Sequence, residues 1–155
     1  MRLGKLLNGI EGLLRLICLV MIAALVGMLF YGVVMRYAFR MPPAWTMEMS
    51  RYVFLWMVMF GAVLVTRDGD HIRMSFLLTL LPGRVRAVVQ KAIEAVMLFV
   101  SCVMIIKGIA ILPVVGEARS PTLGLPMSWL YASIPVGGAL MVVYIIEKAF
   151  QVLRQ

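Results

Sequence analysis

Apolar residues gather along this chain into four long runs, separated by short stretches where charged residues, proline and glycine collect. A membrane-crossing helix needs about 20 mainly apolar residues, because it rises ~1.5 Å per residue through a hydrocarbon layer of ~30 Å. Residues 13–36, 46–66, 85–112 and 128–147 each meet that requirement. None alternates apolar with polar positions as a barrel strand does. Backbone polar groups in lipid must then be satisfied within each segment, so each run reads as a helix. Met41-Pro42-Pro43 precedes the second run and Arg67-Asp68-Gly69-Asp70 follows it; Pro113 is expected to end the third run, and Glu147-Lys148 the fourth. The pattern predicts an all-α integral membrane protein with four transmembrane helices, forming one four-span domain over residues 1–155.

Two connections have a character of their own. The middle loop holds an apolar stretch over residues 72–81, before Pro82-Gly83, that is too short to cross. It predicts a short in-plane amphipathic helix at the interface. The stretch from Pro113 to Met127 carries Pro113, Gly116, Pro121, Gly124 and Pro126, which predicts an irregular but constrained connection. At the other end of the chain, Arg2 and Lys5 precede the first run as they would in a signal peptide. That run exceeds the roughly 7–15 residues of a signal core and no clear small-residue cleavage site follows, so a retained span is expected.

Charge adds an orientation. Lys and Arg number 15 against 7 Asp and Glu, for a net +8. Arg2, Lys5, Arg15, Arg67, Arg73, Arg84, Arg86, Lys91, Lys148 and Arg154 lie on one side of the alternating spans, and only Arg36, Arg40, Arg51, Lys107 and Arg119 on the other. The positive-inside rule then places both termini and the middle loop in the cytoplasm. These charges sit in clusters between apolar runs rather than on one basic face with interleaved aromatics, so the partner they suit is a lipid bilayer and not nucleic acid. With 63% apolar and 14% charged residues, the chain also lies far from the roughly half-apolar, quarter-charged average of soluble domains.

The chemistry-bearing residues are few. Cys18 and Cys102 lie inside apolar runs, where a thiol behaves as a small hydrophobe, and neither belongs to a Cys/His cluster. His71 is the only histidine, so neither bis-imidazole haem ligation nor a multi-histidine metal site comes from this chain; beside Asp68 and Asp70 it reads as a structural loop residue. No metal or cofactor is expected. No nucleophile elbow, P-loop or HExxH motif is present, so no enzyme is expected. Only the third span carries charges deeply, as Lys91, Glu94 and Lys107. Lys91 and Glu94 are one turn apart, which suits either a proton or ion relay or, as the favoured reading, an interfacial pair near the cytoplasmic end, and the long stem of Lys107 is expected to snorkel outward. At the start of the second span, Trp45 and Tyr52 suit the interface, and Glu48 and Arg51 are spaced to pair. Arg36 and Arg40 crowd the same outer side against the charge trend, which points to partners for some of these groups. Ala23/Gly27 and Ser133/Gly137 offer small residues at four-residue spacing for close helix approach.

Read in order, these segments resemble the small membrane subunit of the tripartite ATP-independent periplasmic (TRAP) transporters. The resemblance runs through Arg36-Tyr37 with Phe39, Trp45, Glu48 and Arg51, Trp56, Phe60-Gly61-Ala62, Arg67-Asp68-Gly69-Asp70-His71-Ile72, Leu81-Pro82, and Thr122-Leu123-Gly124-Leu125-Pro126-Met127 with Trp129, Tyr131 and Pro135. Two positions depart from the family pattern: Met47-Glu48 stands where two acidic residues are frequent, and Ser75 where an Asp is frequent. The resemblance implies a bacterial or archaeal inner-membrane protein that pairs with a much larger multi-span subunit as a heterodimer. That larger subunit would carry the solute and sodium sites, and a periplasmic solute-binding protein would deliver an organic acid. This chain would be a non-catalytic scaffold, with Arg36, Tyr37, Trp45, Glu48, Arg51, His71 and Trp129 as partner-interface or structural candidates.

Two other classes stay open at this point. A four-helix multidrug exporter acting as a homodimer needs a proton-exchanging carboxylate well inside its first span, whereas Glu11 lies at the mouth of that span. A membrane anchor for a redox enzyme needs axial ligands that one histidine barely supplies.

Overall fold

The computed structural model describes the backbone of residues 2–72 and 83–153, and the side chains of residues 9–67, 85, 88, 89 and 91–148. It is helical throughout apart from a short bridge between Arg119 and Pro126. Helix α1 spans Arg2–Tyr37, α2 Ala44–Ile72 and α3 Gly83–Gly116; a single turn, α4, spans Ser128–Tyr131, and α5 spans Ser133–Leu153. Four segments are long and apolar enough to cross a membrane: Gly9–Tyr37, Ala44–Arg67, Lys91–Gly116 and Ser128–Lys148. The in-plane helix expected over residues 72–81 lies outside the described residues, apart from Ile72 at the end of α2.

Pro113 does not end the third helix, which continues to Gly116. Proline removes one donor and disfavours the helical shape of the residue before it, but only one turn follows, and Pro113 faces outward where its ring meets no neighbouring helix. Pro135 has the larger effect. It lies in the first turn of α5, where its missing N–H is tolerated, yet that same N–H is the one that would have bonded the carbonyl of Tyr131 in a continuous helix. The break at Ala132 between α4 and α5 follows.

The spans lie side by side in the order α1, α2, α5, α3, with α2 and α5 central. Contact residues of α1 recur as Leu14, Cys18, Met21, Leu25, Met28, Gly32 and Met35, and those of α3 as Glu94, Met97, Ser101, Met104 and Gly108. These alternating steps of three and four are the spacing by which helices pack at a shallow left-handed angle. Leu14 of α1, Val63 of α2 and Tyr144 of α5 form the shared core, with Phe60, Leu64, Leu140 and Met141 packed on it.

Glycine permits the closest contacts. A Cβ on Gly108 would lie 2.8 Å from Pro135 Cδ, and one on Gly138 would lie 3.0 Å from the Ser101 carbonyl oxygen, so α3 and α5 nearly touch backbone to backbone. Of the two small-residue pairs, Ser133/Gly137 is used: Ser133 is fully buried and Gly137 faces Met59 of α2. Ala23 and Gly27 point outward, with nothing within 4 Å of a Cβ on Gly27.

Candidate functional site: a hairpin clamp and a charge ladder at opposite ends

Between α1 and α2 the chain turns through Arg40, which adopts a left-handed φ of 55°, and the Met41 N–H folds back on the Met35 carbonyl at 3.1 Å. Pro42-Pro43 then sets up the first turn of α2, where the Thr46 hydroxyl donates to the Pro43 carbonyl at 2.7 Å. Thr46 is buried directly beneath Gly32 of α1, and the Trp45 ring packs against Tyr31 with centroids 5.9 Å apart. A small residue and a stacked aromatic pair thus fix the α1–α2 junction.

One face of α2 carries Glu48, Tyr52 and Trp56 at four-residue intervals, and all three hold the chain between α3 and α5. The Glu48 carboxylate accepts from the Ser120 hydroxyl, from the Thr122 N–H at 3.1 Å and from the Leu123 N–H at 3.1 Å. One turn on, the Tyr52 hydroxyl donates to the Leu125 and Pro126 carbonyls at 3.4 and 3.3 Å, and after another turn the Trp56 indole N–H donates to the Trp129 carbonyl at 3.1 Å. Trp56 in turn packs on Phe60, with centroids 5.4 Å apart, which links the clamp to the core.

What α2 grips is itself a tight hairpin. Ser120 N–H to Leu125 O and Met127 N–H to Ala118 O close it at 2.8 and 2.9 Å, and Gly124 N–H to Ser120 O closes the turn at 2.9 Å. Gly124 has φ +67°, a conformation that favours glycine. The turn leaves the amides of Thr122 and Leu123 side by side, and the carboxylate fills that concavity with charge-assisted bonds.

The opposite end is tied by charge. Glu11 of α1 sits between Arg15, at 2.8 Å, and Arg67 of α2, at 3.0 Å. The Arg67 guanidinium lies over the Tyr144 ring of α5, 5.0 Å from its centroid, and Lys148 of α5 meets Glu94 of α3 at 3.5 Å. Each neighbouring pair of spans is therefore joined by a polar link at this end, and the Glu11 carboxylate of α1 is engaged in it.

Two expected pairs are replaced by longer-range ones. Glu48 is taken by the hairpin rather than by Arg51, which is exposed and has no ion pair among the described residues. Glu94 pairs with Lys148 across helices rather than with exposed Lys91. Arg36 and Tyr37 are exposed at the end of α1, and Trp129 is exposed while its carbonyl serves the clamp. Lys107 lies exposed on α3; the side chain of His71 is outside the described residues. Sequence reasoning missed Tyr52 and Trp56 as clamp members, Arg67 and Tyr144 as ladder members, and Ser120 as a hydroxyl donor. The spacing 48, 52, 56 was the available signal. Among the described residues no cluster of His, Cys, Asp or Glu could hold a metal ion.

Four lipid-length helices, a strapped hairpin at one end and charge ties at the other define a multi-pass membrane protein. The family described as "Tripartite ATP-independent periplasmic transporters, DctQ component" matches residues 25–155, and the chain belongs to it. It is a transport component and not an enzyme. Its relatives include the sialic acid TRAP transporter small permease protein SiaQ of Vibrio cholerae, 28% identical over 98% of this chain and 86% of that protein. The C4-dicarboxylate TRAP transporter small permease protein DctQ of Rhodobacter capsulatus is 31% identical over 71% of this chain and 49% of that one. The sialic acid TRAP transporter permease protein SiaT of Haemophilus influenzae is 23% identical over 80% of this chain but only 20% of its own length.

Proposed function

We propose that this chain is the stationary scaffold of a sodium-coupled, binding-protein-dependent importer of organic acids, folded as one four-span domain in the inner membrane with both termini cytoplasmic. Its partner is a larger permease subunit that carries the solute and sodium sites, and a periplasmic binding protein supplies the solute. The observation that carries this reading is the double fastening of the bundle: the Glu48–Tyr52–Trp56 clamp at one end and the Glu11–Arg67–Tyr144 and Glu94–Lys148 links at the other. Glu48, Tyr52, Trp56, Arg67 and Glu94 tie helices and hairpin to one another, as suits a fixed brace. SiaT supports the larger partner, because a segment like this chain makes up a fifth of that permease. Acidic solutes are supported by the names of the sialic acid and C4-dicarboxylate relatives.

The exporter alternative is not favoured, since the carboxylate it would use, Glu11, is held between two arginines. The test is purification from native membranes with a tag on this chain. A stoichiometric large permease is the expected companion; a stable homodimer exchanging protons for cationic drugs would overturn the reading.

A further inference from the structure

The scaffold reading requires a face that meets the larger subunit, and α3 carries an unusual one. Val96, Val100, Val103, Lys107, Ala110 and Val114 follow one another at steps of four and three, and all are exposed. This is the spacing by which α1 and α3 pack inside the bundle, repeated on an exposed side of α3. Four of its six residues are valine, whose branched side chain is rigid in a helix and so loses little freedom on packing. A single lysine within such a seam is a recognised means of fixing register and partner.

Lys107 forms no hydrogen bond or ion pair among the described residues. An unpaired ammonium at depth is costly, roughly 2.5–3.5 kcal/mol at a helix centre on insertion scales. Escape to the outer surface is poorly served by the geometry. The span Lys91–Gly116 is about 39 Å long at ~1.5 Å per residue, so a ~30 Å layer centred on it ends about 10 Å beyond Lys107, past the reach of a four-carbon stem. Residues 108–116 are all uncharged. Helical side chains also lean toward the N-terminus of their helix, which for α3 is the inner end, so the stem departs in the wrong direction for snorkelling outward.

We infer that Lys107 and its valine seam dock a transmembrane helix of the larger permease bearing an Asp or Glu carboxylate at the same depth. This rests on the scaffold reading, and the experiment separates the two. The chain is co-expressed with its permease, a benzophenone amino acid is placed at position 103, and the complex is purified and compared for K107M, K107R and K107E. Expected results are an adduct on a permease helix within a turn of an acidic residue, and a tenfold or greater loss of bound permease for K107M and K107E. K107R should retain the complex, and reversing the charge of the acidic partner should restore K107E. All variants should keep the thermal stability of the isolated chain. Undiminished permease on K107M, or adducts to lipid only, overturns the inference while leaving the scaffold reading intact. Failure of the unaltered chain to bring down any permease overturns both.

Discussion

The backbone N–H of Thr122 lies within hydrogen-bonding distance of both carboxylate oxygens of Glu48, 3.1 and 3.2 Å away, across 74 positions of sequence. One acidic side chain at the start of α2 thereby holds the hairpin that leads from α3 into α5. The relative position of three spans depends on a contact that no pair of adjacent helices could supply alone.

Glu48→Gln keeps the shape of the side chain but replaces a charged acceptor by a neutral one, so the hairpin should loosen while the helices stay formed. Hydrogen exchange at Thr122 and Leu123 should accelerate by tenfold or more, with little change in α2. Arg51→Gln, which removes no hydrogen bond or ion pair among the described residues, should leave those amides unchanged. Equal protection in the Glu48 variant would refute the clamp.

The lower clamp positions contribute less. Trp56→Phe keeps an aromatic ring against Phe60 but loses the bond to the Trp129 carbonyl, a cost of about 1 kcal/mol. Tyr52→Phe loses two long bonds and should cost less. Because both hold the same hairpin as Glu48, a combined variant should deviate from additivity in thermal unfolding.

Gly108→Ala should destabilise the α3–α5 contact by about 1–3 kcal/mol, since the new methyl meets the Pro135 ring and backbone nitrogen. Gly27→Ala meets nothing and should leave the isolated chain as stable as before or slightly more so, given the better helix propensity of alanine. Thermal unfolding of the two variants in one detergent checks the contrast.

At the end opposite the hairpin, Arg67 serves both Glu11 and Tyr144. A double-mutant cycle on Glu11→Gln and Arg67→Gln should show a coupling of about 1 kcal/mol or more, whereas independent sites add to within ~0.5 kcal/mol. Simple additivity would remove the ladder from the account.

The four spans and the stiff character of the connection between α3 and α5 were legible because a long apolar run and a cluster of prolines and glycines are strong one-dimensional signals. Partner choice was not. Spacing rules see neighbours on one helix, which is why Arg51 and Lys91 were expected to pair with Glu48 and Glu94; the observed partners, the hairpin amides and Lys148, are brought near only by the α1–α2–α5–α3 order. Tyr52 reads as an interface aromatic by type and Trp56 as one more apolar residue of the span, and their role emerges only once Glu48 above them is known to face the same hairpin. Pro113 was expected to stop α3 on local grounds and instead lies on an outward face one turn from the helix end.

The central claim is that this chain braces a transporter without choosing its solute. Solute uptake into vesicles holding the large permease, with or without this chain and with its Glu48→Gln variant, tests that claim most directly. The account expects uptake only when both subunits are present, and a slower rate with the same order of solute preference for the variant. Uptake by this chain alone, or a changed order of solutes with the variant, would contradict it.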